Sequence, residues 1–240
     1  MMKKLVVITG ASSGFGLALA QLFGQAGHPL LLLARRTAAM AALNLPNALI
    51  KNVDVTDYAA FDAAVQEAVA LYGPVDLLIN NAGIMLLGAL ATQAPSEWAQ
   101  MLDVNVKGVL NGTQIVLADM MARQTGTIVN VSSIAGKKSF PQHAAYCASK
   151  FGVHALTEVT REEVAHTNVR LMLIAPGAAE TELLGHTSDP TIKADYETWK
   201  QDIGGAMAPE HVAEAIRFMY QMPQQVNIRE LVIAATGQAA

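Results

Sequence analysis

A tyrosine and a lysine stand four positions apart in the stretch AAYCASKFG, as Tyr146 and Lys150. On a helix, side chains at positions i and i+4 project from one face, so the phenol and the ammonium are expected to lie close together. A free phenol has a pKa near 10, and a nearby cation favours the phenolate and lowers that pKa. The spacing predicts a proton-transfer pair in which Tyr146 is the general acid or base and Lys150 lowers its pKa. Two surface side chains on a helix are the alternative that spacing alone leaves open.

Neighbouring residues could assist such a pair. Ser132 and Ser133 follow an apolar run, and because adjacent strand residues face opposite ways, only one of the two hydroxyls can face Tyr146. Cys147, the only cysteine, is interpreted as a small buried helix residue and not as a reactive thiol. His143 could contact a substrate, but the favoured interpretation is a histidine in a solvent-facing loop.

The glycine-rich stretch TGASSGFG follows the first apolar run and precedes a helical pattern. Its glycines, Gly10, Gly14 and Gly16, have the spacing G-x-x-x-G-x-G. Glycine lets the backbone turn tightly and approach a phosphate, and free N–H groups at the start of a helix attract an anion. We therefore expect this stretch to bind the pyrophosphate of a dinucleotide, with an ordinary strand-to-helix turn as the structural alternative.

Two arginines stand where a nicotinamide dinucleotide is distinguished from its 2′-phosphorylated form. A carboxylate at the end of the second strand would bind the ribose hydroxyls and repel a 2′-phosphate. Here the second apolar run ends in Ala34 and is followed by Arg35 and Arg36, whose guanidiniums can pair with a phosphate dianion. NADP is therefore predicted in preference to NAD, which remains an option, and two solvated arginines are the alternative.

The elements that would position these residues alternate between apolar runs and longer helical patterns. Runs that are apolar at nearly every position indicate strands covered on both faces, as in a parallel sheet. The pattern predicts an α/β fold, with a doubly wound parallel sheet of about seven strands in a single domain over residues 1–240. The expected strands are Leu5–Thr9, Leu30–Ala34, Leu49–Val55, Asp76–Asn80, Thr127–Val131, Val169–Ala175 and Leu231–Ala234. The expected helices are Gly14–Ala26, Tyr58–Leu71, Glu97–Arg123, Tyr146–His166 and Pro209–Met222, with start signals at Thr56, Ser96 and Pro209.

One long segment departs from this alternation. Ala178–Ala208 contains Pro190, Gly204, Gly205 and only short helical patches, and it follows a strand end, where the site is expected. Long segments of this kind are functional lids or flexible surface loops. We interpret residues 178–208 as a substrate lid.

Composition excludes several classes of function. The 240 residues are 52% hydrophobic and carry a formal charge of −4, with scattered Lys and Arg, which argues against disorder and nucleic-acid binding. No apolar run reaches the roughly 18 residues that a membrane span needs. The single cysteine cannot form an internal disulfide, and no His, Cys and carboxylate spacing suggests a metal site. A cytoplasmic protein without a metal is expected.

Seven motifs, in this order, resemble those of the short-chain dehydrogenase/reductase family over nearly the whole chain. They are TGASSGFG, Asp54 in NVDV, NNAG at Asn80–Gly83, Asn105 in DVNVKG, VSS ending at Ser133, YCASK at Tyr146–Lys150, and PG at Pro176–Gly177 with Thr181. The tail VNIRELVIAATGQ is similar to the branch that includes serine and 3-hydroxy acid dehydrogenases. The resemblance implies a Rossmann-like fold, NADP or NAD as cofactor, and a homodimer or homotetramer.

The resemblance also implies roles for individual residues. It assigns Asn105, Ser133, Tyr146 and Lys150 to catalysis, with Ser133 binding the substrate oxygen and Asn105 holding a proton-relay water. Some NADP-using members have a basic residue where this chain has Ser13, which leaves the 2′-phosphate largely to Arg35. The expected cofactor contacts are Gly10, Ser12, Ser13, Gly14, Phe15, Gly16, Arg35, Arg36, Asp54, Val55, Asn81, Ala82, Gly83, Tyr146, Lys150, Pro176, Gly177 and Thr181.

The function predicted from these residues is an NADP(H)-dependent oxidoreductase that interconverts a secondary alcohol and a ketone or aldehyde. A hydroxy acid or a small hydroxy amino acid is one candidate substrate, although Lys137 and Lys138 are expected to be a solvated pair and not an acid-binding site. The alternative is a regulatory protein that senses NADP on the same fold without catalysis. The complete set of Asn, Ser, Tyr and Lys argues against that alternative, because a sensor would not require all four.

Overall fold

Seven parallel strands form one sheet in the computed structural model, which describes residues 3–239. Their spatial order is β3-β2-β1-β4-β5-β6-β7. The predicted single domain runs over residues 1–240, and its terminal residues 1, 2 and 240 lie outside the described range. The strands are β1 Leu5–Thr9, β2 Leu30–Ala34, β3 Ala48–Asn52, β4 Val75–Asn80, β5 Gly126–Val131, β6 Val169–Pro176 and β7 Glu230–Ile233.

In the part of the chain that the structure describes, eight α-helices connect and cover these strands. They are α1 Gly14–Gln25, α2 Ala38–Ala42, α3 Tyr58–Tyr72, α4 Pro95–Leu102, α5 Gly108–Arg123, α6 Ala144–Glu163, α7 Pro190–Asp202 and α8 Pro209–Gln221. Among residues 3–239, none of these helices is both long and apolar enough to cross a bilayer.

The central strands are buried on both faces, as their continuous apolar runs predicted. Val6 and Ile8 of β1 pack on one face with Phe23 of α1. The alternate residues of the same strand pack on the other face against Phe61 of α3 and Met120 of α5. Helices therefore cover both faces of a parallel sheet, which confirms the predicted doubly wound α/β fold.

The long helix predicted over Glu97–Arg123 is wrong, because two helices and a wider turn occupy these residues. Between α4 and α5 the backbone forms a π-helical turn over Asp103–Lys107. Such turns are rare and are frequently found at functional sites. Asn105 lies in this turn, so the backbone geometry and the sequence motif both indicate a functional position.

Two predicted helix start signals differ from the structure, by one residue for α3 and by two residues for α4. Asp57, not Thr56, caps α3, and its carboxylate accepts a hydrogen bond from the Ala60 N–H at 3.0 Å. Helix α4 begins at Pro95, whose fixed backbone angle suits a first helical position, so Ser96 is inside the helix. The short helix α2 was not predicted from the sequence.

The segment 178–208 contains a regular helix, in contrast to the short helical patches expected from the sequence. Helix α7 has 13 residues, and the Asp189 carboxylate caps it by accepting from the N–H groups of Thr191 and Ile192. A β-bridge between Ala179 and Met207 joins the two ends of the segment. The segment is thus a folded element fixed at its base.

Candidate functional site

A cleft of about 970 Å³ opens at the carboxyl ends of the strands. The chain winds in one direction from β1 to β3 and in the other from β4 to β7, so the crevice lies where the strand order reverses. The glycine-rich turn, the ends of β2 and β5, the start of α6 and the segment with α7 all contribute to its walls. Its volume is at the upper end of the range for sites that hold a cofactor or other small molecule.

The glycine-rich turn is tightly wound against the loop that follows β4. Gly10 and Gly14 have φ angles of 64° and 49°, which favour glycine. A Cβ at Gly10 would stand 2.8 Å from the Ala82 Cα, and one at Gly16 would overlap the Gly10 carbonyl oxygen. The Asn81 side chain donates to the carbonyls of Thr9 and Gly10 at 2.9 and 3.3 Å. These contacts form a backbone cradle at the start of α1.

Replacing Gly16 with alanine should destabilise this cradle. We expect Gly16→Ala to lower the free energy of unfolding by about 1–3 kcal/mol, because the turn must shift away from the added methyl group. The melting temperature should fall by about 2–10 °C, and NADPH should bind more weakly.

Gly152→Ala is the matched control. A Cβ there would meet only the Val106 side chain at 3.6 Å, an ordinary contact, and alanine favours a helix. Differential scanning calorimetry of both variants checks the expectation, and equal melting temperatures would contradict the tight turn.

The residues expected to distinguish NADP from NAD lie at the end of the cleft formed by β2. Arg35 and Arg36 are both exposed at the end of β2. Arg36 donates to the Glu182 carboxylate at 2.5 Å, across the cleft mouth. The Asp54 carboxylate accepts from the Thr56 N–H and hydroxyl at 2.9 and 2.8 Å. Partial burial raises the Asp54 pKa, but these hydrogen bonds and the nearby cations outweigh burial, so the net pKa is lowered.

The two serines after β5 face different ways. The Ser132 hydroxyl donates to the Lys150 carbonyl at 3.2 Å, inside the protein. The Ser133 hydroxyl accepts from the Ala135 N–H at 3.0 Å and is hydrogen-bonded to Tyr146. Ser133 is thus the serine beside the phenol, as the resemblance implies.

Tyr146 and Lys150 are both buried on α6. Burial raises the pKa of the Tyr146 phenol above its ordinary value, while the hydrogen bond to Ser133 acts in the opposite direction. Burial also lowers the pKa of Lys150 to about 8. The Lys150 amine donates to the Val131 carbonyl at 3.1 Å and lies 5.7 Å from the centre of the Tyr146 ring. Burial therefore determines the net direction of the Tyr146 pKa in this structure, and the expectation that Lys150 lowers that pKa stays a prediction.

Asn105 lies behind the cleft wall, with both ends of its side chain engaged. Its Oδ1 accepts from the Ile84 N–H at 2.9 Å, and its Nδ2 donates to the Ile84 carbonyl and the Ser149 hydroxyl. A Cβ at Gly83 would stand 3.4 Å from this Oδ1 and 3.6 Å from the Lys150 amine. Asn105 therefore fixes the loop after β4 next to Lys150, and a water-binding role stays a prediction.

The loop after β6 closes the cofactor side of the cleft. A Cβ at Gly14 would meet the Thr181 side chain at 3.1 Å, so this threonine lies against the glycine-rich turn. Gln238, near the chain end, accepts a hydrogen bond from the Ala178 N–H at 2.9 Å and lines the cleft. The motifs gave no signal for Gln238, because its position depends on where the chain returns after β7.

His143 lines the cleft, so the solvent-facing position favoured from the sequence is wrong. Its ring is half-buried and lies among three aromatic rings, those of Phe140, Tyr146 and Tyr196, at 5.6, 6.3 and 6.5 Å between centres. Helix α7 supplies Tyr196, so the burial of His143 arises from a contact 53 positions away in the chain. Cys147 is buried, as predicted, and contacts the Lys138 carbonyl.

The cleft brings together all but two of the predicted catalytic and cofactor residues. The exceptions are Gly16 and Asn105, which support the wall from behind. Sequence reasoning missed the opposite wall, whose side chains come from the loop after β4, the loop before α6, and α7. These residues are Met85, Leu87, Phe140, Ile192, Tyr196 and Trp199.

Known proteins share this sequence and architecture. The family profile of short chain dehydrogenase matches residues 4–191. An uncharacterized oxidoreductase of Staphylococcus saprophyticus is 37% identical over 242 residues, which cover 98% of this chain and 97% of that protein. One from Listeria monocytogenes is also 37% identical, over 243 residues and the same shares. Among solved structures, the closed form of serine dehydrogenase complexed with NADP+ has a TM-score of 0.90 and 30% identity, covering 98% of this chain and 96% of that one. The chain therefore belongs to the short-chain dehydrogenase family and is an oxidoreductase enzyme.

Proposed function

We propose that the protein interconverts a secondary alcohol and a ketone or aldehyde with NADP(H). The observation that carries this proposal is the buried Tyr146 hydroxyl, hydrogen-bonded to Ser133 and one helical turn from Lys150, inside a cleft with a glycine-rich backbone cradle. Serine dehydrogenase, a protein of similar structure, is complexed with NADP+ in its closed form. That similarity supports the same class of cofactor here.

The residues of the cleft fit a nicotinamide dinucleotide. The positive φ angles at Gly10 and Gly14 leave backbone N–H groups at the start of α1 open to a pyrophosphate. Asp54, held as a carboxylate by Thr56, would accept hydrogen bonds at the adenine end, and Thr181 would hold the nicotinamide end. The bound cofactor would supply or accept the hydride. This chain then has to orient the substrate and move one proton.

Tyr146 is the proposed general acid and base. A reduced carbonyl oxygen becomes an alkoxide that needs a proton, and a phenol within hydrogen-bond reach can give it. Because burial keeps the Tyr146 pKa high, the phenol holds its proton until that alkoxide forms. Ser133 would donate a hydrogen bond to the same oxygen and stabilise its developing charge.

Lys150 and Asn105 would support the phenol from the protein interior. With its pKa near 8, the Lys150 amine carries a positive charge over most of the neutral range, and this charge favours a phenolate when Tyr146 loses its proton. Asn105 fixes the loop that faces the Lys150 amine. A water held in the π-helical turn would link that amine to solvent.

The preference for NADP should depend on Arg35. We expect Arg35→Asp to weaken NADPH binding by about 10- to 100-fold, because a charge-assisted hydrogen bond to the 2′-phosphate is lost and a like charge is added. NADH should be affected much less. Dissociation constants for both cofactors, measured by tryptophan fluorescence, check this expectation.

Arg36→Ala is the control for that measurement. Its guanidinium is already paired with Glu182, so its loss should change the NADPH-to-NADH ratio less than the loss of Arg35. An unchanged ratio in Arg35→Asp would contradict the phosphate role.

A protein that senses NADP without catalysis is the second candidate. It would bind NADPH in the same cleft but would show no oxidation of NADPH with any carbonyl compound. An absorbance assay of NADPH oxidation with a panel of ketones and aldehydes separates the two candidates. Turnover that is lost in Tyr146→Phe supports the enzyme, and binding without turnover supports the sensor.

The proposal extends to assembly and location. Leu110 on α5 and Phe151 and Val159 on α6 are exposed apolar side chains, which favours a homodimer or homotetramer. The single cysteine suits a reducing compartment, so we propose the cytoplasm. Light scattering of the purified protein measures the assembly.

A further inference from the structure

The wall of the cleft opposite the glycine-rich turn is apolar and aromatic. Met85 and Leu87 are buried there, beside Tyr146. The Tyr196 and Trp199 rings of α7 lie 5.2 Å apart between centres. We call this region the aromatic pocket and define it by Met85, Leu87, Phe140, His143, Tyr196 and Trp199.

His143 lies in the middle of the aromatic pocket, and its hydrogen-bonding state follows from its partner. The Nδ1 atom is 2.7 Å from the Pro141 carbonyl oxygen, which can only accept, so Nδ1 carries the hydrogen. Burial lowers the His143 pKa, although the Pro141 hydrogen bond acts in the opposite direction, so the ring is neutral at pH 7. Its Nε2 is then a hydrogen-bond acceptor.

Charged groups near the aromatic pocket stand at its rim or are engaged elsewhere. Lys138 and Asp195 line the cleft, but both are exposed and opposite in sign. The Lys138 amine lies 5.7 Å from the centre of the Phe140 ring. Lys150 is buried and donates to the Val131 carbonyl. A substrate carboxylate inside the pocket would therefore lose hydration and face the negative faces of aromatic rings.

We infer that the aromatic pocket takes an uncharged carbonyl compound with an aromatic substituent, and that His143 selects substituents that donate a hydrogen bond. This inference rests on the proposed function and narrows its substrate class. It differs from the hydroxy acids suggested by the sequence, because a carboxylate would find rings and a neutral imidazole where it needs a fixed cation.

Four related ketones separate the effects of charge and of the ring. They are ethyl benzoylacetate, benzoylacetate, ethyl acetoacetate and acetoacetate, each reduced with NADPH and followed by absorbance. We expect the aromatic ester to have the highest kcat/KM, at least about tenfold above benzoylacetate and above ethyl acetoacetate. A higher kcat/KM for either anion than for its ester would overturn the inference and leave the proposed function intact.

A binding measurement distinguishes the remaining outcomes. In a Trp98→Phe background, Trp199 is the sole tryptophan and reports occupancy of the aromatic pocket. Quenching by ethyl benzoylacetate without turnover of any of the four ketones would support the pocket and overturn the proposed function. If the esters neither quench Trp199 fluorescence nor are reduced by the enzyme, the pocket assignment is overturned. If Lys138→Ala lowers the turnover of benzoylacetate or acetoacetate, a carboxylate site lies at the rim of the cleft. That result would also overturn the pocket assignment.

His143→Phe tests the acceptor role while keeping a flat ring. We expect the wild-type enzyme to prefer ethyl (4-hydroxybenzoyl)acetate over ethyl benzoylacetate by about three- to tenfold in kcat/KM, and the variant to lose this preference. His166→Phe, at an exposed position in the turn after α6, is the matched control and should keep this preference. The NADPH dissociation constant and the melting temperature show whether His143→Phe is folded. A folded variant that retains the preference would overturn the role of His143.

Discussion

Tyr146→Phe should lower kcat by about 10²- to 10⁴-fold and leave NADPH binding close to that of the wild-type enzyme. The substitution keeps the buried ring and removes only the hydroxyl. The Ser133 side chain then loses its partner, and an alkoxide formed from the substrate has no proton donor. Cofactor affinity depends mainly on the glycine-rich turn and the end of β2, so the dissociation constant of NADPH should change little.

The matched control is Tyr58→Phe, which makes the same change at the exposed start of α3. Steady-state kinetics and fluorescence titration of both variants give kcat and the NADPH dissociation constant separately. A Tyr146→Phe enzyme with a wild-type kcat would contradict the assignment of Tyr146 as the acid. Loss of NADPH binding as well would show that the ring position, and not the proton, was disturbed.

Lys150→Met should abolish turnover and at the same time stabilise the fold at neutral pH. Burial lowers the Lys150 pKa from 10.5 in the unfolded chain to about 8 in the folded protein, which corresponds to a cost of about 3 kcal/mol for the charged amine. Methionine fills a similar volume without a charge, although the Val131 carbonyl loses its donor. We expect a net gain of about 1–2 kcal/mol in the free energy of unfolding at pH 7.

The pH dependence gives this expectation a sharper test. Between pH 8 and 10.5 the unfolded chain holds the Lys150 proton more tightly than the folded protein does, so wild-type stability contributed by this residue rises with pH. Below pH 8 the full cost is present. The stability advantage of Lys150→Met should therefore shrink as the pH rises from 7 to 10.

Chemical denaturation at several pH values measures the free energies of unfolding of Lys150→Met and the wild-type protein. The contributions of the other titrating groups largely cancel in the difference between the two. Lys3→Met, at an exposed position, is the control and should show no such trend. An advantage that is constant from pH 7 to 10 would mean that Lys150 is not held in the folded protein as a costly cation.

The strands were predictable because a parallel sheet covered on both faces requires continuous apolar runs, which LVVIT and LLLLA supply. The backbone cradle was also predictable, since local glycine spacing determines it. Helix α7 was not predictable, because its polar sequence lacks a long apolar stripe. It is fixed by the Asp189 cap and by the hydrogen bond from Lys200 to Glu180. The direction of the Tyr146 pKa required knowledge of burial, which two residues on one helix do not reveal. His143 was missed for the same reason, since Tyr196 and Phe140 enclose it only in the folded chain.

Residues 180–206 can change between relatives as one unit, because the two ends of this segment are hydrogen-bonded to each other. The Met207 N–H donates to the Ala178 carbonyl at 3.0 Å, and the Glu180 N–H donates to the Met207 carbonyl at 2.8 Å, so the segment leaves and re-enters the body of the protein at one point. Insertions or replacements between these positions need not change the path of the sheet. Because α7 contributes Tyr196 and Trp199, two of the six residues that define the aromatic pocket, substrate choice can evolve by exchange of one closed loop while the glycine-rich turn and Tyr146 stay constant. The same architecture makes residues 180–206 a natural unit for grafting between family members.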